Sequence, residues 1–427
     1  MSENITPLAE LATDGPAAGG ILHLAPQERR ALAACWGGWA LDGMDFQMYP
    51  FVIPALMAAW RISGAEAGSL GTAVLLMSSL GGWIAGYLAD RIGRVRTLQI
   101  TIVWFAVFSL LSGLAQSYEQ FFAARALLGL GFGGEYAVGA VLLGETIRAD
   151  RRGRTLGVMA SASAAGWAVA ALLYTVLFSV LPEQTAWRAL FIAGVAPALA
   201  VVFLRRFISE PDIYQRSRAL AGPGMAQAGP FEIFRPKLLA TTVTCSLLAT
   251  GAQGGFFAIT TWLPTYLGRV RGFSVASTGG YVGITVLGSF LGYLAGAYLS
   301  DRIGRRGTFL AFACGAFAIV LVYTLVPLSN AVLLPLGLPL GFFASGVFSA
   351  TPAFFNEVYP TRCRALGLGF VHNFGRGIGA VFPLLVGLLT ARLGLAAAIG
   401  TFAAGAYGLV FVIALIVPET KGRELSL

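Results

Sequence analysis

Long apolar runs, separated by short clusters of charged and turn-forming residues, make up most of the chain. A helix needs about 20 apolar residues to cross the ~30 Å hydrocarbon core of a bilayer. Runs near that length occur at 31–59, 68–89, 98–117, 120–147, 155–181, 187–204, 238–267, 275–300, 308–326, 332–358, 366–391 and 395–417. They do not alternate in polarity as the ~10-residue strands of a membrane barrel do. The pattern predicts an all-α membrane protein with 12 transmembrane helices.

The polar segments between these runs predict how the chain is divided. Residues 1–30 are polar and partly acidic, and they do not have the basic and then apolar layout of a cleaved signal peptide. We expect a disordered cytoplasmic tail there. The spacing then predicts a six-helix bundle over 31–204, a cytoplasmic central loop over 205–237, a second six-helix bundle over 238–417 and a short cytoplasmic tail over 418–427.

The composition argues against most soluble functions. Hydrophobic residues make up 57% of the chain and charged residues only 11%, whereas about 25% of residues are charged in an ordinary soluble domain. A soluble enzyme, a nucleic-acid binder and a disordered scaffold are therefore disfavoured, and no nucleophile–base–orienter set is present. The cysteines at 35, 245, 314 and 363 have neither disulfide nor metal-ligand spacing. We expect no metal and no cofactor.

The distribution of basic residues predicts the orientation in the membrane. Of 29 Lys and Arg residues, 22 fall in the amino-terminal flank, the even-numbered connections and the carboxy-terminal tail, and five fall in the odd-numbered connections. By the positive-inside rule, both termini are expected to be cytoplasmic. The remaining two, Arg125 and Arg376, lie inside predicted helices.

The chain contains an internal repeat. Residues 86–94 read GYLADRIGR and residues 297–305 read AYLSDRIGR, so Asp90 corresponds to Asp301 at an offset of 211. Glu145 and Glu357 are related at an offset of 212. This spacing predicts two six-helix halves related by pseudo-two-fold symmetry.

With both copies of this loop, the chain resembles a major facilitator superfamily transporter from about residue 30 to residue 424. Arg125 with the glycines at 129, 131, 133 and 134 is similar to the family's fourth-span pattern, and Pro418-Glu419-Thr420-Lys421-Gly422 to a common family ending. Leu41-Asp42-Gly43-Met44-Asp45-Phe46 resembles the signature of metabolite:proton symporters of aromatic acids, sialate and monocarboxylates. Typical sugar-symporter and drug-antiporter motifs in spans seven and five are missing.

The resemblance implies a cytoplasmic gate around the two loops. In the family, such acids and arginines form ion pairs that close the cytoplasmic side and break when the halves rock. The gate residues implied here are Asp90, Arg91, Arg94, Glu145, Asp301, Arg302, Arg305 and Glu357. Simple positive-inside anchoring is the alternative, and it accounts for the arginines but not for the duplicated acid.

Ionisable residues inside the apolar runs are candidates for proton coupling, because burying each in a bilayer costs about 2.5–3.5 kcal/mol on insertion scales. Asp42 and Asp45 are three residues apart, so both carboxyls can face one cavity, and their proximity favours proton uptake by one of them. Glu135 is a third candidate. Arg125 is predicted as a counter-ion that expels the proton. For each residue the alternative is a permanent ion pair that only locks helices together.

Arg376 is the candidate anchor for an anionic substrate, because its planar guanidinium matches a carboxylate. His372 and Asn373 share its helix face, and Gln253 is the repeat counterpart of Asp42. Aromatic residues on the same spans complete the predicted site, although packing in the core is the more common role for such residues. The predicted substrate-binding residues are Arg376, Gln253, His372, Asn373, Tyr49, Tyr136, Trp167 and Phe256.

The leading hypothesis is a proton symporter that imports a small organic carboxylate anion by alternating access. Its expected partners are that anion, protons and the lipid bilayer, with no nucleic acid, and the expected functional unit is a monomer. The expected location is the bacterial inner membrane. A proton-coupled exporter of drugs or metabolites and a non-transporting membrane sensor remain the alternatives.

Overall fold

The computed structural model describes residues 24–195, 208–221, 229–273 and 275–426, and it is helical almost throughout. In chain order the helices are α1 (Pro26–Trp60), α2 (Gly64–Ile92), α3 (Arg94–Leu114), α4 (Tyr118–Thr146), α5 (Arg152–Val180), α6 (Glu183–Ala193), α7 (Asp212–Ala221), α8 (Pro236–Thr265), α9 (Val275–Arg302), α10 (Gly304–Leu325), α11 (Asn330–Val358), α12 (Arg364–Gly379), α13 (Phe382–Leu393) and α14 (Leu395–Ile416).

Ten helical segments within these ranges are long and apolar enough to cross a membrane. The predicted first span, α1, is 35 residues long but is not among them, because polar groups near its middle lower its hydropathy. The predicted sixth span, at 187–204, begins in α6 and extends beyond the described residues after 195. The other ten predicted spans all coincide with membrane-length helical segments.

Helices α1–α6 pack chiefly with one another, and α8–α14 do the same. Several helix pairs join the halves, chief among them α2 with α12 and, at the repeat-related position, α9 with α5. Gly86 permits the first contact, because a Cβ there would lie 2.3 Å from the carbonyl oxygen of Ala365. Gly157 permits the second, because its Cβ would lie 2.5 Å from that of Ala297. The repeated sequence thus forms a repeated helix–helix contact.

The predicted eleventh span is not one continuous helix. α12 ends at Gly379 and α13 starts at Phe382. Pro383 has no N–H for the carbonyl of Gly379, so the regular hydrogen-bond ladder cannot pass this point. The chain closes α12 with bonds from the N–H of Ala380 and Val381 to carbonyls of the preceding turn. The interruption lies four residues after Arg376.

The polar segments also differ from the prediction. α1 starts at Pro26, inside the predicted disordered tail, because proline suits the first helical turn and the carboxylate of Glu28 accepts the N–H of Ala25 at 2.8 Å. The rest of that tail, 1–23, lies outside the described residues. The predicted central loop contains α7 and a 3₁₀ turn at Glu232–Phe234.

The first and last described residues lie at the same end of the molecule. Glu28 lies 3.9 Å from Arg148, which follows α4. The carbonyl of Ser426 accepts the N–H of Thr361, between α11 and α12, at 3.1 Å. We call this the terminal end. The starts of α3, α5, α10 and α12 lie there too, and the carboxylates described below contact them.

Candidate functional site

A central cavity lies between the two halves. One wall comes from α1, α2, α4 and α5, and the other from α8, α9, α11 and α12. It holds about 870 Å³ of empty space, part of which is continuous with the exterior. The aromatic lining residues are Trp39, Phe46, Phe132, Tyr136, Trp167, Phe256, Phe257, Tyr293 and Phe348. The polar lining residues are Gln47, Ser163, Gln253, Ser289, Ser345, His372 and Arg376.

Arg376 is the charged residue among the described lining side chains. It is only 5% exposed. Its Cζ lies 4.5 Å from the ring centre of Phe132 and 5.7 Å from that of Trp39. Its Nη1 has no hydrogen-bond partner among the described residues. This guanidinium is therefore placed between aromatic faces with unused hydrogen-bonding capacity.

His372 and Gln253 support Arg376. Nη2 of Arg376 lies 3.2 Å from Nε2 of His372, one helical turn earlier. The amide of Gln253 donates to the carbonyl of His372 at 2.7 Å, which ties α8 to α12. The ring of Tyr136 lies over the imidazole with the centroids 3.9 Å apart. Four of the predicted binding residues are thus in one connected group.

The remaining predicted binding residues divide into two groups. Trp167 and Phe256 line the cavity. Asn373 does not, because its amide donates to the carbonyls of Gly133 and Gly369, both at 3.0 Å. Tyr49 is also outside the lining and packs in the apolar core of the first half. Helix-face spacing alone could not distinguish these positions, because the angular range that faces the cavity is narrow.

Asp42 and Asp45 have different surroundings despite their spacing. Asp45 forms an ion pair with Arg125 at 2.6 Å and accepts the hydroxyl of Ser109 at 3.2 Å. Asp42 is 2% exposed and lies within electrostatic range of Arg376. Neither is among the lining residues of the cavity. The two carboxylates therefore do not share one cavity surface.

Glu135 is buried in α4 and accepts a bond from the hydroxyl of Thr101 in α3 at 3.4 Å. It is 5% exposed and is not a lining residue, although its neighbour Tyr136 is. Glu135 and Arg125 are ten residues apart in α4, about 15 Å along the helix axis, and they do not pair with each other.

Two clusters of buried charges occupy the terminal end, and we call them together the arginine–carboxylate network. In the first cluster, Arg94 contacts Asp90 at 3.1 Å and Glu145 at 2.9 Å, and Arg364 of the second half contacts Glu145 at 2.6 Å. In the repeat-related cluster, Arg305 contacts Asp301 at 3.0 Å and Glu357 at 2.7 Å. Arg152 of the first half contacts Glu357 at 3.4 Å. Each cluster therefore contains an ion pair between the halves.

The repeated aspartates also cap helices of the opposite half. Asp90 accepts the N–H of Ala365 at 3.3 Å and of Leu366 at 2.9 Å, at the start of α12. Asp301 accepts the N–H of Arg154 at 2.8 Å, at the start of α5. A carboxylate at a helix start satisfies unpaired N–H groups and the local dipole. These caps join the halves at both symmetry-related positions.

Two predicted gate residues lie outside the network. Arg91 is exposed and its guanidinium lies 4.5 Å from the ring centre of Tyr87. Arg302 is also exposed, and its carbonyl accepts a bond from Lys421 at 2.9 Å. Both are a single residue from a network aspartate, but they point to the other side of the helix.

Glu210 and Glu419 bind the starts of α3 and α10, a pair of equivalent roles that were not among the predicted ones. Glu210 accepts the N–H of Arg94 and Val95 at 2.8 and 2.9 Å, and Glu419 accepts those of Arg305 and Arg306 at 2.9 and 3.1 Å. Gly93, before α3, and Gly304, the first residue of α10, have φ of 111° and 90°, a region that favours glycine. The sequence signal for this pair is Glu210-Pro211 after the first half and Pro418-Glu419 after the second.

Tyr214 joins α7 to this end of the molecule. The Cζ of Arg94 lies 4.2 Å from the Tyr214 ring centre. Burial raises the pKa of the Tyr214 phenol, and Arg94 opposes that rise only in part. The phenol is therefore neutral at physiological pH and serves as an aromatic support for the arginine.

Several residues of the cavity lining and of the arginine–carboxylate network were not predicted, because no motif or unusual residue type marks them in the sequence. Ser163, Ser289 and Ser345 line the cavity but are ordinary serines within apolar runs. Arg152 and Arg364 were counted only as basic residues of connections, yet they are 4% and 0% exposed and pair across the halves.

The chain is similar to known transporters over nearly its whole length. A sequence model described as Major Facilitator Superfamily matches residues 35–382 and 282–426. A protein of Cupriavidus pinatubonensis named "Probable 4-methylmuconolactone transporter" is 42% identical over 94% of this chain and 93% of its own length. The "Cis,cis-muconate transport protein" of Acinetobacter baylyi is 29% identical over 82% of this chain and 84% of its own.

A solved structure has the same fold. The proton:xylose symporter XylE superposes with a TM-score of 0.78 at 18% identity, covering 93% of this chain and 98% of that one. Together with the apolar helices, the repeated contacts between halves and the central cavity, the matches show a multi-pass membrane transporter and not an enzyme. The chain belongs to the Major Facilitator Superfamily.

Proposed function

We propose that the protein imports a small organic carboxylate anion together with protons, by alternating access across the bacterial inner membrane. The relatives named for 4-methylmuconolactone and cis,cis-muconate support a small organic acid as the substrate. The position of Arg376 is the observation that most supports the proposal. It is a buried cation in an aromatic cavity between the halves, with Nη1 unused among the described residues.

Anion binding follows from the chemistry of this residue. A guanidinium donates in a plane and binds carboxylate oxygens strongly where water is excluded. The aromatic faces of the cavity suit a flat apolar body, and the serines can orient further polar groups. The cavity is large enough for a small metabolite and too small for a macromolecule.

Proton coupling is proposed to use Asp42. Its carboxylate lies within electrostatic range of Arg376. When an anion neutralises Arg376, that arginine stabilises ionised Asp42 less, and protonation of Asp42 becomes more favourable. Anion and proton therefore bind cooperatively, which is the linkage a symporter needs. Asp45 is held by Arg125 in this conformation and is the second candidate, followed by Glu135.

The arginine–carboxylate network is proposed to close the cytoplasmic side. Its ion pairs and helix caps join the halves at the terminal end, and that end carries the excess of basic residues. Contacts that exist in one state only can hold a two-state transporter closed on that side until the halves rock.

The binding test compares an acid with its neutral amide. Wild-type protein, Arg376→Lys and the exposed-site control Arg392→Lys are purified, and thermal unfolding is recorded with cis,cis-muconate, nicotinate and nicotinamide. At 100 times its Kd an acid should stabilise wild type by ~2.7 kcal/mol. Arg376→Lys should lose this stabilisation, because it keeps the charge but loses the fork of donors. Stabilisation by nicotinamide and by neither acid would contradict the anion assignment.

Proton coupling is tested in proteoliposomes whose external pH is lower than the internal pH. Wild type should accumulate the acid that binds, whereas Asp42→Asn should exchange it across the membrane without concentrating it. Accumulation by Asp42→Asn that still depends on external acid would move the coupling role to Asp45 or Glu135. Accumulation of the substrate driven by a lower pH inside the liposomes would indicate an exporter of the antiporter type.

A further inference from the structure

The contact between His372 and Arg376 defines the protonation state of the imidazole. Nη2 of Arg376 lies 3.2 Å from Nε2 of His372. A guanidinium nitrogen donates and has no free lone pair to accept. Nε2 must therefore be the acceptor and carry no proton, which places the proton of the neutral ring on Nδ1. An imidazolium at this position would set N–H against N–H.

The ring is held in this orientation by its neighbours. Tyr136 covers one face at 3.9 Å with an interplanar angle of 31°. The amide of Gln253 fixes the backbone carbonyl of His372. Arg376 is itself placed over Phe132. The donor on Nδ1 is thus preorganised before any ligand binds.

Two buried donors in this pair have no acceptor within the part of the chain that the structure describes. They are Nδ1 of His372 and Nη1 of Arg376. A buried donor without an acceptor is unfavourable, and both residues line the same cavity. The arrangement favours a ligand that brings acceptor oxygens and no donor hydrogens.

The geometry points to a two-donor carboxylate anchor, in which Nη1 of Arg376 and Nδ1–H of His372 each bind a carboxylate oxygen. His372 is then a specificity-determining residue and not a proton carrier. This inference rests on the proposed transport of an organic anion. A carboxamide would place its NH₂ against one of the two donors, so the anchor discriminates acids from amides.

The protonation state can be measured directly, because the chain has two histidines. In full-length His23→Gln protein labelled with ¹⁵N-histidine, His372 is the single imidazole in the NMR spectrum. We expect a protonated Nδ1 and an unprotonated Nε2 at neutral pH without ligand. A proton on Nε2, or on both nitrogens, would overturn the inference whether or not the protein transports anions.

The binding role is tested with a pair of amide variants. Counting bonds from Cα, the amide nitrogen of His372→Asn replaces Nδ1, and the amide end of His372→Gln replaces Nε2. His372→Asn should bind nicotinate within a few-fold of wild type, and His372→Gln should lose about 10- to 100-fold, as expected for one hydrogen bond to a charged group. The preference for nicotinate and cis,cis-muconate over nicotinamide should fall only in His372→Gln.

The two proposals fail in different ways. If wild type binds neither acid, the anion-transport proposal fails and the anchor fails with it. If wild type binds an acid but the Asn and Gln variants lose equal affinity, the anion-transport proposal stands and the role of Nδ1 is overturned. Loss of binding by Arg376→Lys with no change in either His372 variant would assign the carboxylate to the arginine alone.

Discussion

Two arginines buried in the spans, Arg125 and Arg376, serve different purposes because their neighbours differ. Arg125 meets a carboxylate at 2.6 Å, whereas Arg376 meets a neutral histidine and aromatic rings. Arg125 has its own counter-ion and is held by that pair in this conformation, although its Nε has no hydrogen-bond partner among the described residues. A buried arginine with unused donors in a cavity is available to a ligand. The residue type was therefore an incomplete guide to the role.

Asp45→Asn should lower the stability of the protein, because it leaves Arg125 buried without its carboxylate. Removing one partner of a buried ion pair costs about 3–5 kcal/mol. Thermal unfolding in detergent measures the effect. The double variant Asp45→Asn/Arg125→Gln is the matched control, and it should recover part of the loss because no unpaired charge remains. Equal melting temperatures for wild type and Asp45→Asn would show that the pair contributes little.

At the scale of elements, α2 has a tight end and an open end. Toward the terminal end Gly86 lies against Ala365, whereas Gly71, earlier in the same helix, has only a ring carbon of Tyr49 at 3.9 Å from an added Cβ. Glycine at residue 86, like Gly82 one turn earlier, therefore permits the close approach of α2 to α12. Hydropathy marked Gly71 and Gly86 equally as parts of one span.

Gly86→Ala should push α2 away from α12 and destabilise the contact between the halves at the terminal end, since overpacking costs about 1–3 kcal/mol. Gly71→Ala on the same helix is the control and should be near neutral. Thermal unfolding and initial uptake rates of the two variants test this. A melting temperature of Gly86→Ala equal to that of Gly71→Ala would mean that the contact adjusts without strain.

At the scale of the whole molecule, the two halves are joined by equivalent contacts at the terminal end. Asp90 caps α12 and Asp301 caps α5, and each has an arginine four residues later. Symmetry of this kind means that both halves contribute equivalent contacts to the terminal end. The buried Cys363, in the turn between α11 and α12, lies beside one of these caps.

Asp90→Asn and Asp301→Asn should each shift the population toward the state open at the terminal end, where losing ~1.4 kcal/mol changes the ratio about tenfold. The measurement is alkylation of Cys363 after the other three cysteines are replaced by alanine. Both variants should label faster, and only from the side that the terminal end faces, which we propose to be cytoplasmic. Glu66→Gln, which alters a cap within α2 at its opposite end, is the control. Unchanged labelling in folded aspartate variants would mean that these residues only cap helices.

Much of the architecture was predictable because it is local in the sequence. Hydropathy located ten of the membrane-length helices within a few residues, and the repeat of Asp90 at Asp301 predicted the symmetry. Hydropathy did not predict the interruption at Ala380, because a proline inside an apolar run barely changes the mean hydropathy. It also did not predict the helix at 212–221, which is short and amphipathic. Family membership also followed from these motifs.

The sequence by itself determined that charges inside apolar helices must be satisfied and that the ends of the halves are equivalent. Only the tertiary structure decided the partners: Asp45 with Arg125, Arg376 with His372, and Asp90 with the start of α12. Helical spacing specifies which residues share a face, but the rotation and approach of neighbouring helices decide which atoms meet. Those quantities depend on packing between segments far apart in the chain.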